Sequence, residues 1–215
     1  MKLGVFDSGI GGEAVALALQ KTFPAAAIIT VNDTPNVPYG SKSPETVREL
    51  TDVAIGPLLA QHCDVIILAC NTATAHAIEF LREKYPQQKF IGIEPMIKTA
   101  AAATNTGMIA VCATPATLAS ERYKTLLAAH GQHLTVIEPD CHDWAYRIEH
   151  NTLNEAHITE VIAPLLARDV DVIVLGCTHY HWIKEVIVRL ADGQAAVLEP
   201  SEAIGRRVKA LLKLR

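Results

Sequence analysis

One stretch of this chain occurs twice. Pro57-Leu-Leu-Ala-Gln-His-Cys-Asp-Val-Ile-Ile-Leu-Ala-Cys70 aligns without gaps to Pro164-Leu-Leu-Ala-Arg-Asp-Val-Asp-Val-Ile-Val-Leu-Gly-Cys177, with nine of fourteen positions identical at an offset of 107 in a chain of 215 residues. A second echo follows each copy, Ile93-Glu94-Pro95 and Leu198-Glu199-Pro200. Apolar runs recur by chance. A proline, an aspartate and a terminal cysteine held in register with them do not. The repeat predicts two similar halves, 1–96 and 97–200, with a last helix over 201–215 packing back on the N-terminal half.

The pattern inside each half sets the fold class. Leu3–Phe6, Ile28–Val31, Val65–Ala69, Phe90–Ile93, Met108–Cys112, Leu134–Ile137, Val172–Gly176 and Ala196–Leu198 are short and rich in branched residues, as strands buried on both faces are. Helical segments separate them: Glu13–Lys21, Pro44–His62, Ala73–Tyr85, Pro115–His130, Glu155–Arg168, His181–Asp192 and Ser201–Lys213. Ser43 ahead of Pro44 reads as an N-cap with proline at the first helical position. Regular β-α alternation predicts mainly parallel sheets with crossover helices. The fold class is α/β, with two pseudo-symmetric domains and an active site in the cleft between them. Sites in such folds lie at the carboxyl ends of the strands.

Charge and composition narrow the function. Nineteen basic against 23 acidic side chains give a net charge of −4, without the basic face that nucleic acid requires. No apolar run reaches the roughly 18–20 residues of a membrane span. Asp7 interrupts the N-terminus too early for a signal peptide. These features predict a cytoplasmic protein. Its five cysteines lack CxxC spacing and the nine histidines form no HExxH, so free thiols are expected rather than disulfides or a metal site.

Two of those thiols stand apart. Cys70 and Cys177 occupy matching positions at the ends of apolar strands, followed by Asn71-Thr72 and Thr178-His179. A helix start with donor hydroxyls favours the thiolate. Two pseudo-symmetric halves would set two such thiols across one cleft, as needed to take a proton from one face of a carbon and return one to the other. Cys63 and Cys112 read as core residues; Cys141 fits either description.

Strand one runs into Asp7-Ser8-Gly9-Ile10-Gly11-Gly12, which with Ala14 outlines a dinucleotide fingerprint, and Asp33 lies twenty-four residues past Gly9. Asp7 argues against that reading, because its charge would stand beside the pyrophosphate at a helix start. The glycines then serve the approach of backbone amides to a small anion, with Asp7 and Ser8 on a substrate's polar groups. Asn32–Ser41 is a polar loop at the same end of the sheet.

Asp7-Ser8-Gly9-Ile10-Gly11-Gly12, Asp33-Thr34 with Pro38-Tyr39-Gly40, Ala69-Cys70-Asn71-Thr72-Ala73, and Gly176-Cys177-Thr178-His179-Tyr180 together resemble the glutamate racemases of the aspartate/glutamate racemase family. Order and spacing match over essentially the whole chain. The resemblance implies two α/β domains around a buried site and no cofactor. It implies Cys70 and Cys177 as the catalytic acid–bases, with Cys70 facing the D-enantiomer and Cys177 the L-enantiomer. Asp7, Asp33, Glu149 and His179 are implied as groups that assist them, Glu149 being matched through its spacing after Cys141. Asp7, Ser8, Tyr39, Gly40, Asn71, Thr72, Thr117, Thr178 and His179 are implied as substrate contacts; Thr117 reads equally as a helix cap. Glutamate is the implied small-molecule partner, without metal, nucleic acid or membrane, and a homodimer is compatible with it. The implied product, D-glutamate, would feed peptidoglycan synthesis in a bacterial cytoplasm. The chain departs from the family in having His181-Trp182 where proline is usual, in Glu13 at a commonly apolar site, and in being shorter than most members.

The expected reaction is proton transfer at the α-carbon of a free amino acid. No lysine sits in a motif that suggests a pyridoxal cofactor. The site must stabilise a carbanion with donors on the α-carboxylate and well-placed bases. Two alternatives remain at this stage: a related two-cysteine racemase or epimerase acting on another substrate such as aspartate, and a binding protein that keeps the fold.

Overall fold

The computed structural model describes residues Met1–Leu214. The chain divides into two compact units, one formed by Met1–Glu94 with the segment from Pro200 onward, the other by Pro95–Glu199. The first unit holds strands β1 (Lys2–Asp7), β2 (Ala27–Asn32), β3 (Val65–Leu68) and β4 (Phe90–Gly92) in the order β2-β1-β3-β4, all parallel. The second holds β5 (Met108–Ala113), β6 (Thr135–Ile137), β7 (Val172–Gly176) and β8 (Ala196–Leu198) in the order β6-β5-β7-β8, again parallel. The topology is the same one twice, as the duplicated segment requires.

The central strands of each sheet are buried on both faces, whereas the edge strands β2, β6 and β8 are only partly buried, contrary to the expectation for all eight; side-chain alternation sorts the central residues. In the first unit Leu3, Val5, Val65 and Ile67 point into one core, and Phe6, Ile66, Leu68 and Cys70 into the other. In the second, Ile109, Val111, Val172 and Val174 face one core, and Ala110, Cys112, Ile173, Leu175 and Cys177 the other. Each buried aliphatic side chain contributes about 1.5–3 kcal/mol.

Eleven helices are described: α1 (Gly11–Thr22), α2 (Pro44–Ala54), α3 (Gly56–Ala60), α4 (Asn71–Lys84), α5 (Ile97–Ala103), α6 (Pro115–Ala119), α7 (Glu121–His130), α8 (Trp144–Glu149), α9 (Glu155–Leu166), α10 (Lys184–Ala191) and α11 (Ser201–Leu212). Two expected helices are broken and a third starts late. Pro44–His62 is interrupted at Ile55, because Pro57 brings no N–H and opens α3. Pro115–His130 is interrupted at Ser120, whose extended backbone ends α6 and whose hydroxyl accepts from Tyr123 N at 3.2 Å to start α7. His181–Asp192 starts later than expected: Thr178–Ile183 is a 3-10 turn, and α10 follows it. Ser43 caps α2 as expected, accepting from Thr46 N at 3.2 Å. The last helix, α11, packs on α1 and β4, with Ile204 and Val208 in the core shared by Val15 and Leu19. Among the described residues no helix is long and apolar enough to cross a membrane.

Candidate active site

In each unit the chemistry gathers at the carboxyl ends of the two central strands. Strand order reverses there, the position at which open α/β sheets bind ligands.

In the first unit, β1 ends at Asp7, which is fully buried and accepts from Gly9 N at 2.8 Å. Gly12 is required by packing: a Cβ there would lie 2.6 Å from the Asp7 Cβ and 3.2 Å from Asn32 Oδ1. This glycine is therefore explained by the close approach of α1 to Asp7 and Asn32, rather than by anion access alone.

Cys70 is the N-cap of α4. Its backbone is extended, and its Sγ lies 3.4 Å from Ala73 N, as an acceptor, and 3.4 Å from Ser8 Oγ. Sulfur is a weak acceptor when protonated. A thiolate in this position gains from the amide, the hydroxyl and the positive end of the helix together. Asn71 and Thr72 occupy the first turn of α4 and are buried; Asn71 Oδ1 accepts no hydrogen bond.

Asp33 follows β2. Its N–H donates to the Asp7 carbonyl at 3.0 Å, which ties the second loop to the first. Its carboxylate receives the Tyr39 hydroxyl at 2.7 Å. Tyr39 is buried, its ring packed against Phe6 with centroids 6.3 Å apart. Burial, the bond to Asp33 and the negative neighbours Asp33, Cys70 and Asp7 push the Tyr39 phenol far above its usual range, so it remains a donor. Gly40 follows Tyr39 in the same 3-10 turn.

In the second unit, Cys177 directly follows β7. Its Sγ lies 3.8 Å from His179 Nδ1, and His179 Nε2 lies 2.7 Å from Glu149 Oε2. The His179 and Glu149 side chains are only 3% and 7% exposed, so the pair is shielded from solvent. In the tautomer whose Nε2–H donates to the Glu149 carboxylate, the Nδ1 lone pair faces the thiol and can take its proton. Glu149 comes from α8, a helix the sequence pattern did not reveal. An edge-to-face pair of Trp144 and Tyr180, centroids 5.3 Å apart, holds α8 against the Thr178–Ile183 turn. The Tyr180 hydroxyl also donates to the Cys141 carbonyl at 2.9 Å.

Thr178 is buried in that turn. Thr117 is buried in α6, but Thr114 is the N-cap, accepting from Thr117 N at 3.4 Å; the two hydroxyls lie 3.0 Å apart. The helix-cap reading of Thr117 is therefore corrected to Thr114. Cys63, Cys112 and Cys141 are all buried. A hydrogen bond to Cys112 and burial push the Cys141 thiol far up, which marks it as a protonated core group. The His181 side chain is 6% exposed, with Nε2 3.6 Å from Glu199 Oε2, whereas Trp182 is 46% exposed.

The structure thus brings together Asp7, Ser8, Asp33, Tyr39 and Cys70 in one unit, and Glu149, Cys177 and His179 in the other. Sequence reasoning missed Asn36, which contacts Asp33, and the Trp144–Tyr180 pair behind Glu149. A polar residue three places after Asp33 was the only sign of the first; an aromatic at the head of a short helix was the only sign of the second.

The sequence model of the family described as Asp/Glu/Hydantoin racemase matches residues 12–205. The chain is 38% identical over 217 aligned residues to a glutamate racemase of Pseudomonas aeruginosa (strain UCBPP-PA14), covering 99% of this chain and 82% of that one. Among solved structures it is similar to the Escherichia coli glutamate racemase in complex with L-glutamate and the activator UDP-MurNAc-ala, with TM-score 0.89, 27% identity, and 99% and 82% of the two chains covered. It is also similar to the Francisella tularensis glutamate racemase in complex with D-glutamate, with TM-score 0.82, 29% identity, and 99% and 81% covered. Sequence likeness and backbone likeness agree over nearly the whole chain, and on that ground the chain belongs to the Asp/Glu/hydantoin racemase family.

Proposed function

We propose that this chain interconverts L- and D-glutamate by proton transfer between two cysteines, without a cofactor. The observation that supports it best is the repeated placement of a cysteine after a central strand, each with its own polar partners: Cys70 with Ser8 and an α4 amide, Cys177 with His179 and Glu149. The relatives, named glutamate racemases, supply the substrate class.

In this reading the two thiols address opposite faces of the substrate α-carbon. Cys177 as thiolate removes the proton of L-glutamate, and the C–H electron pair stays on carbon as a carbanion. Cys70 as thiol then delivers a proton to the other face, giving D-glutamate and a Cys70 thiolate. The reverse direction exchanges the roles. His179 with Glu149 accepts the Cys177 proton, and the amide and hydroxyl around Cys70 steady its thiolate. Asp7 and the Asn71 carbonyl oxygen suit the substrate ammonium; Ser8, Gly40, Thr72, Thr117 and Thr178 suit its carboxylates. Donors aimed at the α-carboxylate stabilise the carbanion, the largest lever available to such a site. D-glutamate would then supply peptidoglycan synthesis in the cytoplasm.

The test is circular dichroism of L-glutamate and, separately, of D-glutamate incubated with purified protein and no added cofactor. Each signal is expected to decay to zero as the enantiomers equalise. No decay in either, or decay only after pyridoxal phosphate is supplied, overturns the proposal. Faster racemisation of aspartate overturns the substrate assignment.

A further inference from the structure

The Asp33 carboxylate has a second partner that no part of the reaction scheme uses. Asn36 Nδ2 donates to Asp33 Oδ1 at 2.9 Å and to Oδ2 at 3.1 Å. Oδ2 also takes the Tyr39 hydroxyl at 2.7 Å. Asp33 stands at the N-cap of the 3-10 turn Thr34–Asn36, where an aspartate usually accepts from the backbone of the turn. Here its side chain makes no cap bond. Pro35 leaves one fewer amide to cap, and the Asn36 N–H is already bound to the Asp33 carbonyl at 3.0 Å. The turn thus does not use the carboxylate. The carboxylate is instead gripped between an amide from one side and a phenol from the other. In a 3-10 turn residues i and i+3 eclipse each other, which brings the Asn36 side chain over Asp33.

We propose that Asn36 is a positioning residue: it clamps the Asp33 carboxylate, and through it fixes the direction of the Tyr39 hydroxyl in the core cluster that also holds Cys70. Without the clamp Asp33 can rotate about its side-chain bonds. The Tyr39 O–H then loses its single acceptor and turns toward the other negative groups near it, Asp7 and Cys70. A further donor swinging onto Cys70 would stabilise the thiolate beyond what Ser8 and Ala73 already do and weaken it as a base; a donor held on Asp33 leaves its basicity intact. This rests on the racemase reading and adds to it a residue that determines how well the Cys70 side works.

The test compares wild type, Asn36→Ala and Asn36→Asp in glutamate racemisation between pH 6 and 8.5, with thermal melts of each. The equilibrium constant of a racemisation is one, so kcat/KM must change equally in both directions. Asn36→Ala removes two hydrogen bonds to a carboxylate, and kcat/KM is expected to fall about tenfold. Asn36→Asp is nearly isosteric. At low pH its carboxyl group, sharing one proton with Asp33, donates as the amide did; at high pH two adjacent carboxylates repel, with Asp7 and Cys70 adding to the negative field. Its deficit against wild type at the same pH is expected to be within about threefold at pH 6 and above about tenfold at pH 8.5. A folded Asn36→Ala with full activity, or an Asn36→Asp deficit that does not change with pH, overturns the clamp alone. A wild-type chain inactive on both enantiomers overturns the racemase reading and the clamp with it.

Discussion

Cys70 and Cys177 occupy one repeated position but stand in different surroundings. Cys70 lies against a helix amide and a serine hydroxyl, neutral groups able to donate to the sulfur in its thiolate form. Cys177 leans on an imidazole backed by a buried carboxylate, a group that can hold a proton. Serine at either position keeps the size but not the basicity, since a hydroxyl near neutral pH is far too weak a base. Cys70→Ser and Cys177→Ser are each expected to lose at least about a thousandfold in kcat. Full activity in either variant, measured by circular dichroism, would make that cysteine structural. At this scale the sequence was most legible where residues fall in register or in a motif: the two cysteines, Asp7, Ser8 and His179. Asn36 was not legible, because its partner is three residues away in a turn with no periodic signature. Glu149 was reached through spacing alone, since its tie to His179 spans 30 residues of chain.

Among the elements, all eight strands were legible, because each is a short branched run with polar or glycine boundaries. The helices were legible in place but not in continuity. Ser120 and Ile55 break runs whose apolar pattern continues past the break, so a local cap and a proline outweigh periodicity. Helices α5 and α8, of seven and six residues, are too short to show a period. Yet α8 carries Glu149, and tertiary packing by Trp144 and Tyr180 is what secures it. Tyr180→Phe keeps the ring pair and removes the hydroxyl from the buried Cys141 carbonyl. The expected cost is about 1–3 kcal/mol in urea unfolding, with racemisation also slowed because α8 loosens behind His179. Unchanged stability would show that the hydroxyl bond does not anchor this element.

For the molecule as a whole, His181 is expected to contribute to the dependence of stability on pH. Burial, first of all, lowers its pKa; Lys184 and His179 act in the same direction and Glu199 opposes them. The folded state therefore binds the His181 proton less readily than the unfolded chain does. Its stabilising contribution is present above the ordinary histidine value of 6.5 and is lost as pH falls through the lower folded value. Melting temperature is expected to drop more steeply between pH 7 and pH 5 in wild type than in His181→Gln; equal slopes would exclude His181 as the source. The duplication was the strongest whole-chain signal in the sequence, and it reappears as one strand order used twice.

The central claim is that the proton removed from glutamate and the proton returned to it are different protons, carried by two different sulfurs. Thiol protons exchange with solvent. In heavy water, L-glutamate converted by this protein is expected to give D-glutamate that carries deuterium at the α-carbon from the first turnover, read by mass spectrometry of the separated enantiomers. By the family's pattern, Cys70→Ser should retain slow wash-in from L-glutamate and Cys177→Ser from D-glutamate. D-glutamate that keeps its original α-hydrogen through the first turnovers would mean an internal return of the same hydrogen, and would contradict the two-cysteine account.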